Sequence, residues 1–241
     1  MAREYIARDP RTGERIGAKP KGARKGVGIA ALSPDSGPWQ RLESHEILPL
    51  ANGESGKIEI LADGKTWLLG RIDGIKALAK VPEKDVERAY DSLVDALEDD
   101  FPDVRIAALK TLPSFSLRRQ GILLHCLSDR LQDDEDSVRE EAMTCLKKVA
   151  PLFPSGCEEI LRRELRDTRK DHRGNAFEAL KLASREWPEV GCLHLDELIR
   201  EEEGDLRIRG SMILRTIASK GGAEAWDLIG WSLQDEEVQV R

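Results

Sequence analysis

Residues 127–146 read LSDRLQDDEDSVREEAMTCL. Leu127 and Leu131 stand one helical turn apart, and beyond the acidic run QDDEDS the residues Val138, Ala142, Cys145 and Leu146 fall at i, i+4, i+7 and i+8, with Val149 following at i+11. That spacing is one apolar face of a helix. The Asp and Ser residues of the turn are good N-caps for the second helix. Residues 161–180, LRRELRDTRKDHRGNAFEAL, carry the same pattern 34 positions later.

The period extends in both directions. Val104-Arg105, Val138-Arg139, His172-Arg173, Leu206-Arg207 and Val240-Arg241 recur every 34 residues, and Gly70-Arg71 adds a step towards the N-terminus. Six residues before five of those arginines stands an acid: Asp99, Asp133, Asp167, Glu201 and Asp235. Apolar columns keep the same interval, as in Leu93, Leu127, Leu161, Leu195, Ile229 and Leu97, Leu131, Leu165, Ile199, Leu233. Downstream run Ala108, Ala142, Ala176, Gly210, then Leu112, Leu146, Leu180, Leu214. Each unit is therefore two amphipathic helices. One such pair cannot bury its stripe alone, so neighbours must stack.

An acid, an arginine six residues later and a helix opening on small and aliphatic residues resemble the HEAT family and its shorter HEAT-like, PBS-lyase-type relatives. The resemblance implies an all-α fold, an α-α superhelix of about five 34-residue helix pairs over residues 65–241. It also implies that the acids pair with the arginines as a ladder between repeats. Two departures stand out. His172 replaces an aliphatic residue, and the prolines often seen in the first helix of that family are absent here.

Outside the repeats, residues 1–40 carry eight Lys and Arg against four Asp and Glu, while the rest carries 30 against 41. Rich in Gly and Pro and poor in large apolar residues, this leader is expected to be a basic, flexible extension. Its charge suits an acidic surface or a phosphate backbone, with Arg15, Lys19, Lys21, Arg24 and Lys25 as candidate contacts. Residues 41–64 are expected to form an irregular or hairpin-like cap: Ile58 and Ile60 alternate and Asp63-Gly64 signals a hairpin. Trp67, Leu68, Ile72, Ile75 and Leu78 read as helix. At the other end the pattern stops at Val240-Arg241, which leaves Trp226 and Trp231 on a helix whose partner is missing.

The residues that could carry function lie on the second helices. Nine places after the Val position, on the side away from the core, stand Pro113, Lys147, Lys181 and Arg215. Beside them run Leu109, Met143, Phe177 and Ser211. The family resemblance puts second helices on the concave surface, so these columns imply an apolar and basic groove for an acidic amphipathic partner. A second basic group, Arg162, Arg163, Arg166, Arg169, Lys170 and Arg173, is interleaved with acids and reads as locally paired.

No cofactor, metal or catalytic residue is expected. Cys126, Cys145, Cys157 and Cys192 lack C-x-x-C spacing and read as buried thiols of a reducing compartment. Only His45-Glu46 has the His-Glu form with which HEAT-like deoxyhypusine hydroxylase holds iron. HEAT-like DNA glycosylases need a carboxylate beside an aromatic residue in the groove, which these columns do not supply. The acidic body also opposes duplex binding. The sequence thus points to a cytoplasmic, non-catalytic scaffold or adaptor with a protein partner, a subunit of a larger complex and not a membrane protein. Association with nucleic acid or a ribonucleoprotein is the alternative, a DNA glycosylase the third reading, and a chaperone role like that of the HEAT-like phycobilin lyase subunits, which nothing here marks specifically, the last.

Overall fold

The computed structural model describes residues 37–62, 65–115, 120–201, 203–218, 220 and 222–241. The chain divides into two compact units, Met1–Phe115 and Ser116–Arg241. Among the described residues the fold is helical pairs with one two-stranded hairpin.

In the first unit, α1 (Ser44–Ala51) is closed at its start by the Glu43 N–H donating to Glu46 Oε2 at 2.8 Å. Pro49 lies inside this first helix, ahead of the span in which such prolines are read as absent. The chain then leaves as an antiparallel hairpin, β1 (Ile58–Ala62) and β2 (Lys65–Leu69), pairing Ile58 with Leu69 and Ile60 with Trp67. It returns as α2 (Arg71–Ala77), which packs against α1. The hairpin is thus inserted inside a helix pair. Two expectations are corrected here. Residues 41–64 hold α1 as well as the first strand, and Trp67 and Leu68 are strand residues rather than the start of a helix. Pairing puts Ile58, Ile60, Trp67 and Leu69 on one face, where Trp67 and Leu69 are buried. A helix would have divided that face. Asp63 and Gly64, read as the hairpin turn, lie outside the described residues.

The next pair is α3 (Val86–Leu97) and α4 (Pro102–Thr111). First helix packs on first, α1 on α3, and second on second, α2 on α4. Tyr90 ties the far end, donating its O–H to the Phe115 carbonyl at 2.6 Å with the two rings edge to face. The crossing of α1 and α2 is close because Gly74 has no side chain. A Cβ there would sit 2.5 Å from the backbone nitrogen of Ala51. At the same crossing Arg71 Nε donates to the Ala51 carbonyl at 3.1 Å, satisfying an acceptor that the helix end leaves open.

The second unit repeats the plan. It contains α5 (Gln120–Arg130) with α6 (Asp136–Val149), α7 (Pro154–Glu164) with α8 (Lys170–Glu186), and α9 (Pro188–Ile199) with α10 (Gly204–Ile217). The helix α11 (Gly222–Ser232) follows. Here α6, α8 and α10 pack in series, as do α5, α7, α9 and α11. The columns read from sequence form the core. Leu93, Leu127, Leu161 and Leu195 are each 0% exposed, as are Ala108, Ala142 and Ala176. Burying such a leucine stabilises by about 1.5–3 kcal/mol, which an exposed helix face would forfeit. The column breaks at the last member: Leu233 is 59% exposed where Leu131 and Leu165 are buried, and Trp226 and Trp231 on α11 are exposed too.

The repeated acids and arginines do more inside a repeat than between repeats. Each of the four aspartates folds its turn by accepting from the backbone N–H two residues on, Asp99 from Phe101 and Asp133 from Glu135 at 2.9 and 3.1 Å, and likewise Asp167 from Arg169 and Asp235 from Glu237. The arginine six residues on donates to the acid's own carbonyl: Arg105 to Asp99 at 2.7 Å, Arg139 to Asp133, Arg207 to Glu201 and Arg241 to Asp235. Ladder pairs between repeats form at Arg71–Asp99 (2.6 Å) and Arg207–Asp235 (2.9 Å). At the third repeat the ladder is replaced. Arg169 takes Asp167 with both arms of its guanidinium, and Arg173 turns to Glu203 and Asp205.

Gly74→Ala is expected to destabilise the chain by about 1–3 kcal/mol, because the obstructing atoms are backbone and cannot rotate away. Gly56→Ala, whose new Cβ would touch nothing within 4 Å, is expected to change stability by less than about 0.5 kcal/mol. Urea unfolding of the two variants beside the parent checks both.

Candidate functional site

Lys147, Lys181 and Arg215 occupy one position on α6, α8 and α10, the helices on which a basic strip is expected. Lys147 Nζ donates to Asn175 Oδ1 of the next second helix at 2.7 Å, and Lys181 Nζ to Glu178 on its own helix at 3.2 Å. Arg215 is exposed. The apolar column beside them is not an open wall. Leu109, Met143 and Phe177 are 0, 1 and 5% exposed, so the apolar half of the expected groove is core. Ser211, the fourth member, is buried too and donates to the Ile208 carbonyl. The reason is geometric. A second helix meets its own first helix and a neighbouring second helix, α2 for α4 and α8 for α6, so a residue 140° from the reference position faces a neighbour instead of solvent. Phe177 is further covered by Arg209, whose guanidinium carbon stands 5.4 Å from the ring centre. What remains on this flank is polar and charged apart from the exposed Met212 on α10.

On the first-helix side the second basic group is paired, as its interleaved acids implied. Arg162 on α7 reaches across to Glu197 on α9 at 2.8 Å and also holds Glu158 and Glu159. Arg166 pairs with Glu197 and Glu201. Arg163 donates to the hydroxyl and the carbonyl of Ser128 on α5. The Arg162–Glu197, Arg166–Glu201 and Arg163–Ser128 links each span 35 residues, one more than the repeat, which stitches α5 to α7 and α7 to α9. Arg162 holds the Glu197 carboxyl below its usual range. Between α5 and α7 an open groove has Leu124 and Ile160 on its lining with His125, Glu159 and Arg163.

Sequence reading missed a polar cluster at the α7–α8 turn. Glu164, at the last position of α7, is completely buried. Its Oε1 accepts from Gln132 Nε2 and Arg163 Nε at 3.0 and 2.9 Å. Its Oε2 faces His172 Nδ1 at 3.7 Å, too far for a hydrogen bond, and neither atom has a hydrogen-bond partner. Asp167 lies beside them, and Arg169 brings its carboxyl down to about 2. The one signal in the sequence was His172 in an otherwise aliphatic column. The leader residues Arg15, Lys19, Lys21, Arg24 and Lys25 lie outside the described residues.

No family model matches the chain, and no curated protein does. Among solved structures it is similar to an engineered protein from a structural genomics consortium, at 17% identity over 70% of this chain and 85% of the other, with a TM-score of 0.38. It is also similar to the karyopherin Kap121p, solved bound to the extreme C-terminus of the protein phosphatase Cdc14p, at 14% identity and a TM-score of 0.48. That alignment covers 81% of this chain and 21% of the karyopherin, so the chain spans about a fifth of its length. The helical-repeat assignment rests on the stacked pairs and buried columns described above.

The four cysteines are buried and form no disulfide. Burial pushes the Cys157 thiol up to about 12 and Cys145 higher still, which leaves both protonated and inert. His194 on α9 is buried as well, with Nε2 lacking a hydrogen-bond partner. Burial holds its imidazole below the ordinary 6.5, with Glu158 and Glu197 acting in the other direction. The unfolded chain therefore takes up this proton first. The resulting stability is complete above the unfolded pKa and is lost as the pH falls below it. Ile160 and Leu228 hold the equivalent positions in the adjacent repeats. Between pH 7.5 and 5.5 the melting temperature of the parent is expected to fall further than that of His194→Leu. Parallel curves would remove His194 as the cause.

Proposed function

We propose that this chain is a non-catalytic, protein-binding scaffold of the helical-repeat type. In this reading it is a cytoplasmic subunit of a larger complex, and it receives an acidic segment of another protein along the second helices of residues 120–241. The observation that carries the reading is the basic strip. Three cations recur at 34-residue intervals on consecutive second helices, and adjacent packed helices lie about 8–10 Å apart. They make a row of positive charge on a rigid support. Lys147 and Lys181 are held by Asn175 and Glu178 without being buried, and Arg215 is open to solvent. With the apolar column withdrawn into the core, recognition on this flank is electrostatic. That gives fast, salt-sensitive association more than high affinity.

The contact residues are Lys147, Lys181 and Arg215, with Arg209 on its Phe177 ring as a fourth positive group on the same helices. The basic leader of residues 1–40 supplies a second, separate contact in this proposal. Nucleic-acid binding through that leader is the competing outcome, and salt separates the two. A chain that neutralises several phosphates loses affinity steeply and log-linearly with salt, whereas a short acidic peptide at three or four cations loses it gently.

The test is the double charge reversal Lys181→Glu with Arg215→Glu. Both side chains are at the surface, and the one ion pair lost is worth about 0–1 kcal/mol, so the melting temperature is expected to change little. Affinity capture from the native organism, followed by mass spectrometry after nuclease treatment, is expected to recover a protein with the parent that the double variant loses. An unchanged set of captured proteins would refute the strip as the binding face, and a set that disappears with nuclease would favour the nucleic-acid reading.

A further inference from the structure

The α7–α8 turn departs from the repeat at three places at once. Val138 and Leu206 supply the aliphatic opening of the flanking second helices, and His172 replaces it here. The carboxylate of Glu164 is fully enclosed at a position where the flanking first helices carry Arg130 and Leu198. The acid of the turn, Asp167, is held by Arg169 two residues on and not by an arginine of the preceding repeat. A stacked repeat gains nothing in packing from enclosing a carboxylate against an imidazole. Departures from a repeat that fall together mark a place with its own task.

The geometry tells what that task is. Glu164 Oε2 and His172 Nδ1 are both enclosed, both lack a hydrogen-bond partner and face each other at 3.7 Å. This is longer than a hydrogen bond. It is close to the gap between two ligands of one small cation, since two bonds of about 2.1 Å opened to between 109° and 120° put the ligand atoms about 3.4–3.6 Å apart. A carboxylate oxygen of Asp167 completes the group, and the three ligand atoms lie within 4.8 Å of one another. We infer that this turn is a binding site for a divalent transition-metal cation of the zinc type, held by Glu164, Asp167 and His172. One imidazole nitrogen and two carboxylate oxygens suit Zn2+ and its neighbours better than Ca2+ or Mg2+, which take oxygen ligands.

The surroundings set how tightly the ion is held. Arg163 and Gln132 hold the other oxygen of Glu164, and Arg169 holds Asp167, so the carboxylates are oriented by a second layer of donors. Those two guanidinium groups also offset the carboxylate charge. The site is therefore weaker than one made of thiolates, and a chelator empties it. Bound there, the ion joins the end of α7 to the start of α8, at the junction where the ladder between repeats is not made. The inference is independent of the binding face on the second helices.

The test uses the full chain stripped with EDTA and titrated with Zn2+ by calorimetry, with Co2+ absorption and X-ray absorption for the ligand set. One ion per chain is expected, with an imidazole and oxygen ligands, no sulfur, and a higher melting temperature on loading. His172→Leu restores the aliphatic residue of the other repeats, so it is expected to fold and to bind the ion at least tenfold more weakly. Glu164→Gln, which keeps the size and the acceptor oxygen, is expected to weaken binding in the same way and serves if the first variant fails to fold. The proposal is overturned by the absence of stoichiometric binding, by affinity undiminished in the variants, or by sulfur in the ligand shell.

Discussion

A pair of helices with this apolar pattern has a flank that water rejects and that its own two members cannot close. Everything else in the molecule follows from the need to share that flank with the next pair. Leu161 and Leu195 are sealed because each has a counterpart on the first helices before and after it, whereas Ile229, at the end of the same column, is only half-buried. Stability in such a stack accumulates from contacts between neighbours rather than from one centre. A local change is therefore felt mainly by the adjoining pair.

The polar chemistry of the turns serves the same stacking. A first helix ends with carbonyl groups that lack partners, close to the next pair. The arginine at the opening of the second helix sits over those carbonyls, and its positive charge complements the negative end of the helix. The acid ahead of it folds the turn by accepting a backbone N–H. Charge is thus used for shape, and ion pairs between repeats are added only where a partner is free. On the first-helix side, the Arg162 and Arg166 links to Glu197 and Glu201 tie the same neighbours by a different route.

The helical repeat was legible because a period in sequence becomes a period in packing with nothing in between, and the leucine and alanine columns are buried as their spacing required. Other features depended on competition that a single column does not display. Trp67 belongs to a strand because its cross-strand neighbour Ile60 outweighs the helical spacing that follows it. Met143 and Phe177 are buried because a helical wheel has one inside and one outside, while a stacked second helix is also covered on its flank by the next second helix. The ladder fails at Asp167 because Arg169, two residues away, reaches it first. The enclosed Glu164 could not be foreseen from its own helix, since the side chains that enclose it come from other elements. His172 alone announced that this junction is different.

The hairpin between α1 and α2 shows what the architecture tolerates. The chain departs at Ala51 and is back by Arg71, whose guanidinium donates to the Ala51 carbonyl, so the two ends of the excursion are clasped to one another. Closing such a loop costs an entropy that grows only slowly with its length. Arg71 also keeps its phase with the arginines that follow. The bend within a helix pair is therefore a point at which this kind of protein can acquire new segments, even whole modules, without disturbing the rhythm of the rest.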